Sequence, residues 1–250
     1  MATSALLMMS PVAAVAGPAH AKVAPTSAWG QSEPVPGLAA LAGSDDTVVN
    51  SVSCASAGNC SAGGLYEFGT SCCLSRPFVA SEVHGTWRQA IEVPGLSALG
   101  PDGKAAVTSV SCPSAGNCTA VGYYTFGFYP GSSIAKTSAF AVSQVKGTWG
   151  QAIEVPGLGA LNTGADAALA SVSCASAGNC SAGGVLPKTG AAVTAGQVRG
   201  TWGHVRAIPD LAALLKGGDA ESTHSVFTQV SCAAAGQCTA GGYQANPARR

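Results

Sequence analysis

Charge is scarce in this chain: only 10% of its 250 residues are charged, against roughly 25% in soluble intracellular domains. The 12 basic and 12 acidic residues cancel, and no basic run is longer than the closing Arg249-Arg250. Such a sequence has no electrostatic footprint for DNA, RNA or an anionic membrane surface. We therefore expect no nucleic acid among its partners.

Catalytic motifs are also missing from the sequence. It has four histidines, and it contains no G-x-S-x-G, H-E-x-x-H, P-loop or dinucleotide fingerprint. Aspartates recur in the linkers, but no D-x-D-x-D-G pattern gathers them into a calcium loop. Glu92 and Glu154 recur five residues after a tryptophan, which favours exposed strand positions over a catalytic pair. We expect no enzyme activity, no cofactor and no metal site.

No apolar run reaches the about 20 residues that a membrane-spanning helix needs. The first residues do form a shorter apolar stretch, followed by Ala19-His20-Ala21, an A-x-A cleavage pattern, although no basic residue precedes it. Residues 1–21 are therefore predicted to be a signal peptide, which leaves 22–250 as a single exported repeat domain without a membrane span.

Cysteine, in contrast, is abundant. Eight of the ten cysteines form pairs that enclose five residues each, and successive pairs lie 58, 62 and 58 residues apart: Cys54/Cys60, Cys112/Cys118, Cys174/Cys180 and Cys232/Cys238. Low charge and many cysteines together are typical of disulfide-stabilised extracellular proteins. We expect the protein to be secreted.

A tryptophan followed seven residues later by a proline recurs with the same period, which is the length scale of a propeller blade. The two patterns define a tryptophan strand at 29–36, full repeats at 51–94, 109–156 and 171–209, and a partial repeat at 229–243. Alternation and turn residues predict four short strands in each full repeat. The fold class is therefore all-β.

Three of the cysteine pairs flank a Ser-Ala-Gly-Asn turn and the fourth flanks Ala-Ala-Gly-Gln, so the two cysteines of each pair face each other across a predicted hairpin. Opposed residues in an antiparallel pair are close enough for a disulfide. Zinc would favour closer cysteines and commonly histidine partners. We therefore predict four cross-strand disulfides.

Cys72 and Cys73 lie outside the repeat, in the loop between strands two and three of the first unit. An oxidised structural pair in a surface loop is the favoured interpretation, and a link to another chain or a reactive pair are the alternatives. A redox site usually has two residues between its cysteines.

The glycine pairs Gly63-Gly64, Gly183-Gly184 and Gly241-Gly242, followed by a later tryptophan and proline, resemble the kelch repeat, although Ser81, Ser143 and Gly196 replace its tyrosine. The Gly-Thr-Trp segment is similar to the end of the Asp-box hairpin of sialidase-like propellers, with valine in place of its aspartate. The whole unit over 29–243 most resembles uncharacterised secreted repeat proteins of bacteria. The resemblance implies a propeller-like fold and export, and it implies no activity.

The repeats predict a small or incomplete β-propeller of about four blade-like units. Strands from the two termini would have to complete one blade, as in many closed propellers. The alternative is a shortened member of a longer array, whose open sheet edges would allow self-association.

Trp87, Trp149 and Trp202 are the candidate ligand-binding residues, because aromatic faces stack on sugar rings. The alternative is that they form the core between neighbouring blades. The preferred function is non-catalytic binding of a polysaccharide or cell-wall glycan. The rivals are an extracellular structural or protein-interaction module and a sialidase-like propeller hydrolase.

Overall fold

The structure is a computed structural model that describes residues 32–43, 46–68, 74–101, 103–128, 131, 135–158, 167–186, 191–208 and 224–245. The predicted signal peptide, Trp29, Cys72 and Cys73 lie outside these ranges. Among the described residues, no helix is long and apolar enough to cross a membrane.

The fold of the described residues is all-β, with antiparallel strands and short helical turns. A helix, α1 (Leu38–Ala42), precedes the strands, and a 3-10 helix (Leu96–Leu99) follows β5. The strands are β1 (Thr47–Ser56), β2 (Asn59–Glu67), β3 (Ser75–Val83), β4 (Thr86–Trp87), β5 (Ile91–Glu92), β6 (Ala105–Ser114), β7 (Asn117–Phe128), β8 (Ala135–Val145), β9 (Thr148–Trp149), β10 (Ile153–Glu154), β11 (Ala168–Ser176), β12 (Asn179–Leu186), β13 (Ala191–Val198), β14 (Thr201–Trp202), β15 (Arg206–Ala207), β16 (His224–Ala234) and β17 (Gln237–Ala245).

The strands form three five-stranded sheets and one hairpin. We call β1–β5 repeat 1, β6–β10 repeat 2, β11–β15 repeat 3 and the hairpin β16–β17 repeat 4. In each full repeat three long strands pair in chain order, and two short strands both pair with the third. No sheet closes on itself in the described part of the chain.

The predicted fourth strand is two short strands rather than one. In repeat 1, the Arg88 N–H still donates to Ser81 of β3, but the Ala90 N–H donates to the carbonyl of Pro36. In repeat 2, the Ala152 N–H likewise donates to the carbonyl of Pro94. The strand is interrupted at these alanines because their N–H groups bond to the proline carbonyl that precedes the repeat and not to the third strand of their own repeat.

All four predicted disulfides are present, each between residues six positions apart: Cys54–Cys60, Cys112–Cys118, Cys174–Cys180 and Cys232–Cys238. Their Cα atoms lie 3.9–4.1 Å apart. Cys54, for example, stands directly opposite Cys60 in the strand register. Each bridge ties the two first strands of a repeat at the turn end of their hairpin.

A bulge in the first strand of each repeat decides which residues face the preceding repeat. The register of β1 with β2 shifts between Val49 and Ser51, and β6 shifts between Val107 and Ser109. A bulge inserts one unpaired residue, so side chains three positions apart point to the same face. Val107 and Val110 therefore both point toward repeat 1, where a Cβ added at Gly63 would collide with them.

The serines of the Ser-Val-Ser-Cys motif hold successive repeats together. Their hydroxyls accept hydrogen bonds from backbone N–H groups of the next repeat: Ser51 from Val110 at 3.0 Å, Ser53 from Cys112 at 3.0 Å, Ser109 from Val172 at 3.1 Å, Ser111 from Cys174 at 2.9 Å, Ser171 from Val230 at 3.1 Å and Ser173 from Cys232 at 3.0 Å. The same polar contact thus recurs at all three interfaces between repeats.

The core lies largely between neighbouring sheets. One cluster joins Val121 of repeat 2 to Leu169 and Val172 of repeat 3. Another joins Val79 of repeat 1 to Val107 and Val110 of repeat 2. Many of the core side chains are small, so the stability of each sheet depends on its neighbours.

Candidate functional site

Two of the three tryptophans proposed as sugar platforms are buried between repeats. Trp149 is 9% exposed and Trp202 is 6% exposed. The Trp149 indole N–H donates to the hydroxyl of Ser81 in repeat 1 at 3.2 Å. Trp87 is half-buried and packs beside a separate core cluster. Since the Trp149 and Trp202 rings pack inside the protein, the site described below contains neither of them.

A row of three crevices lies at the disulfide end of the repeats, one at each interface between neighbours. Their volumes are about 270, 340 and 230 Å³. The first is lined by Ser61 and Ser81, the second by Thr119 and Ser143, and the third by Ser181. Disulfide-bonded cysteines belong to every lining, and valine and alanine side chains line the crevices beside the hydroxyl and amide groups.

Two buried glutamines line these crevices, and each has an unused hydrogen-bond acceptor. Gln144 lines the first two crevices, Gln197 lines the second and third, and each is 3% exposed. The amide nitrogen of Gln144 donates to Ser81 at 2.9 Å and to the carbonyl of Gly147 at 3.3 Å.

Gln197 repeats this arrangement with Ser143 and Gly200, both at 3.2 Å. A carbonyl oxygen only accepts, so these contacts fix which side of each amide is nitrogen. The Oε1 atoms of both glutamines are buried without a partner. A buried acceptor without a partner costs about 1–3 kcal/mol.

Basic residues at left-handed turn positions line the first two crevices. His84 and Lys146 line the first crevice, and Arg199 lines the second. These three residues have φ of 52°, 50° and 49°. Left-handed backbone costs a residue of this kind roughly 1–2 kcal/mol, whereas asparagine and glycine adopt it easily. The same hairpin turn thus places a basic side chain at an equivalent position in each full repeat.

Each basic turn is clamped to the cysteine hairpin of its own repeat. The Gly147 N–H donates to the carbonyl of Gly116 at 2.8 Å, and the Lys146 N–H donates to the Asn117 side chain at 3.2 Å. The Arg199 N–H makes the equivalent hydrogen bond to the Asn179 side chain at 3.2 Å. The asparagine amide nitrogens in turn donate within their hairpin turns. The crevice walls are therefore held by backbone as well as side-chain hydrogen bonds.

Glu92 and Glu154 lie on the short strands β5 and β10 and have partners within their own repeats. The Tyr66 hydroxyl donates to Glu92 at 3.0 Å, and Arg76 lies 3.8 Å from the same carboxylate. Burial, with the nearby Glu92 carboxylate, raises the pKa of Tyr66 to about 12. The Ser138 hydroxyl donates to Glu154 at 2.7 Å. Burial, and then the Glu154 charge, raises the pKa of Tyr124. Each glutamate therefore stabilises the sheet of its own repeat.

The sequence alone did not single out the two glutamines or the basic turn as a site. Lys146-Gly147 and Arg199-Gly200 are visible in the sequence as a recurring turn. The overlooked signal is the constant glutamine two residues before Lys146 and Arg199, together with a basic residue in the left-handed turn position. In the described ranges, no three His, Cys, Asp or Glu side chains are grouped as a metal site.

A comparison with protein-family models gave no match, and neither did a comparison with curated protein sequences.

Proposed function

We propose that the protein is an exported, non-catalytic binding protein for an anionic, hydroxyl-rich extracellular polysaccharide, which lies along the row of crevices. The observation that carries this proposal is the repetition of one arrangement: a buried glutamine oxygen without a partner, close to a basic side chain held in a left-handed turn. A repeated arrangement suits a repeating polymer, since neighbouring sugar units would meet equivalent groups.

The chemistry of the crevices matches such a ligand. A sugar hydroxyl would exchange hydrogen bonds with the lining hydroxyls. A shift of the crevice wall would let it also donate to Gln144 Oε1 or Gln197 Oε1, which are buried. A carboxylate or phosphate on the polymer would pair with Lys146 and Arg199, because charge-assisted hydrogen bonds are about twice as strong as neutral ones. Glu82 lines the first crevice, so we expect the second crevice to contribute most to anion binding.

Export and an incomplete propeller belong to the same proposal. The four disulfides persist in oxidising environments outside the cytoplasm. Successive repeats pack sheet against sheet with their first strands adjacent, since β6 contacts both β1 and β11. This packing is the arrangement that an incomplete propeller requires, and it supports the interpretation.

The test is retention of the oxidised full chain on insoluble cell-wall glycans that carry carboxylate or phosphate groups. The double variant Lys146→Asn/Arg199→Asn removes both charges and keeps a residue that tolerates left-handed backbone. Each charge-assisted bond contributes about 1.5–3 kcal/mol, so we expect a loss of at least about tenfold in affinity, measured by depletion from solution.

The control variant Lys104→Asn/Arg206→Asn removes two exposed basic residues from elsewhere in the described chain and should be retained like the unmodified protein. If the unmodified protein passes through every such matrix, the proposed ligand class is wrong. An equal loss in both double variants would reveal nonspecific charge attraction instead of a site.

A further inference from the structure

Among the described residues, repeat 1 and repeat 4 present two exposed faces that match one another. Val49 and Val52 of β1 are 42% and 55% exposed. Their counterparts in repeat 2, Val107 and Val110, are 0% and 6% exposed, since they pack on repeat 1. We call Val49 and Val52, together with the N–H groups of Val52 and Cys54, the valine face.

At the other end, the hairpin β16–β17 presents the surface onto which a next repeat would pack. Gly241 corresponds to Gly63 and Gly183, whose added Cβ atoms would collide with Val107 and with Phe227 of the following repeat. An added Cβ at Gly241 meets no atom within 4 Å. Thr228, Gln229 and Ser231 are exposed beside it. We call these four residues the glycine face.

We propose that the glycine face of one copy binds the valine face of a second copy, head to tail, by the contact that already joins repeats within the chain. The three interfaces between repeats within the chain indicate that the binding partner is a second copy. Each interface buries a pair of apolar residues from the first strand of one repeat against the sheet of the preceding one. Among the described residues, the equivalent pair of repeat 1 and the equivalent sheet face of repeat 4 are exposed instead.

The polar groups of the two faces also correspond. Ser231 stands where Ser53, Ser111 and Ser173 accept from the cysteine N–H of the next repeat, so it is placed to accept from Cys54. Thr228 stands where Thr108 donates to the carbonyl of Leu169, so it is placed to donate to Val49. Gln229 replaces the first serine of the Ser-Val-Ser-Cys motif, and its amide oxygen supplies an acceptor for the Val52 N–H.

The N-terminal segment fits the same assembly. The Ala90 N–H donates to the carbonyl of Pro36 at 2.7 Å, as Ala152 donates to Pro94 at 2.7 Å. Repeat 1 therefore already binds a proline segment, as repeat 2 binds the proline segment of repeat 1. In the assembly, repeat 4 of the second copy would supply the first two strands of the repeat to which this segment belongs. A head-to-tail contact of this kind closes into a ring or continues as a filament.

The test is the mass of the full chain in solution by light scattering, over about a hundredfold range of concentration, because association follows mass action. The unmodified protein should form dimers or larger species as concentration rises. Val49→Asp/Val52→Asp removes the valine face, and Gly241→Trp blocks the glycine face. Each variant alone should remain monomeric.

A mixture of the two variants should form dimers, since each retains the face that the other lacks. The control variants are Val145→Asp/Val198→Asp, at valines 61% and 65% exposed, and Gly196→Trp, where an added Cβ also meets nothing. Both controls should associate normally. Intact disulfides by mass spectrometry and an unchanged thermal transition show that each variant folds.

The proposal is overturned by an unmodified protein that stays monomeric throughout, because the two faces would then be covered within one chain or by another partner. It is also overturned if the two face variants fail to complement each other, or if the controls lose association too. No glycan is present in this experiment, so its result is independent of polysaccharide binding.

Discussion

At the scale of single residues, the two glycines of the Gly-Gly motif perform different tasks. The first, as at Gly63 and Gly183, makes room for a side chain of the next repeat. The second, as at Gly64, Gly122 and Gly184, lies against the bulged first strand of its own repeat, where an added Cβ would collide with a backbone carbonyl. This difference explains why repeat 2 accepts Val121 in the first position and keeps glycine in the second.

Gly122→Ala should therefore lower the free energy of unfolding by about 3 kcal/mol, because overpacking against backbone is relieved only by moving a strand. Gly196→Ala is the matched control, since its added Cβ meets no atom within 4 Å, and it should change stability by less than about 0.5 kcal/mol. Urea denaturation measures both variants. Equal effects in the two would show that helical or strand propensity, and not the collision, determines the cost.

Residue spacing predicts the disulfides because both cysteines belong to one hairpin, and a two-residue strand period then places them opposite each other. The role of the serines was not predictable in this way. Ser51 and Ser53 bond to the next repeat, and that contact depends on a bulge and on packing between distant segments. The buried glutamines were missed for the same reason, since Gln144 meets Ser81 only when two repeats are in contact.

At the scale of elements, the disulfide hairpin is the unit that each repeat contributes to its neighbours. Its first strand carries the apolar pair and the serines, and its turn carries the asparagine that holds the basic turn. The sequence predicted this hairpin and its bridge. It did not predict the broken fourth strand, because the break arises where Ala90 and Ala152 bond to the preceding repeat.

Removing one bridge with Cys174→Ser/Cys180→Ser should lower the free energy of unfolding by about 2 kcal/mol, the value expected from closing so short a loop. Cys54→Ser/Cys60→Ser closes a loop of equal length at the exposed end and should lose a similar amount. Urea denaturation with thiol counting measures both. A loss near zero in both variants would mean that packing alone holds the hairpins.

At the scale of the whole molecule, one interface recurs three times in the described residues, and its two halves are exposed on repeat 1 and repeat 4. The crevices are a product of the same interface, so their number depends on the number of neighbouring repeats. Binding along several crevices would strengthen affinity through high effective concentration once one unit of a polymer is bound. Neither a ring nor its closure is needed for the crevices to act.

The most direct test of this account is the affinity for soluble fragments of a retained anionic glycan, measured calorimetrically against fragment length. The Val49→Asp/Val52→Asp variant serves as the protein, so that association between copies does not contribute. Affinity should rise with length until a fragment reaches neighbouring crevices, and it should then level off. Affinity that is independent of length, or absent for every fragment, would contradict the account.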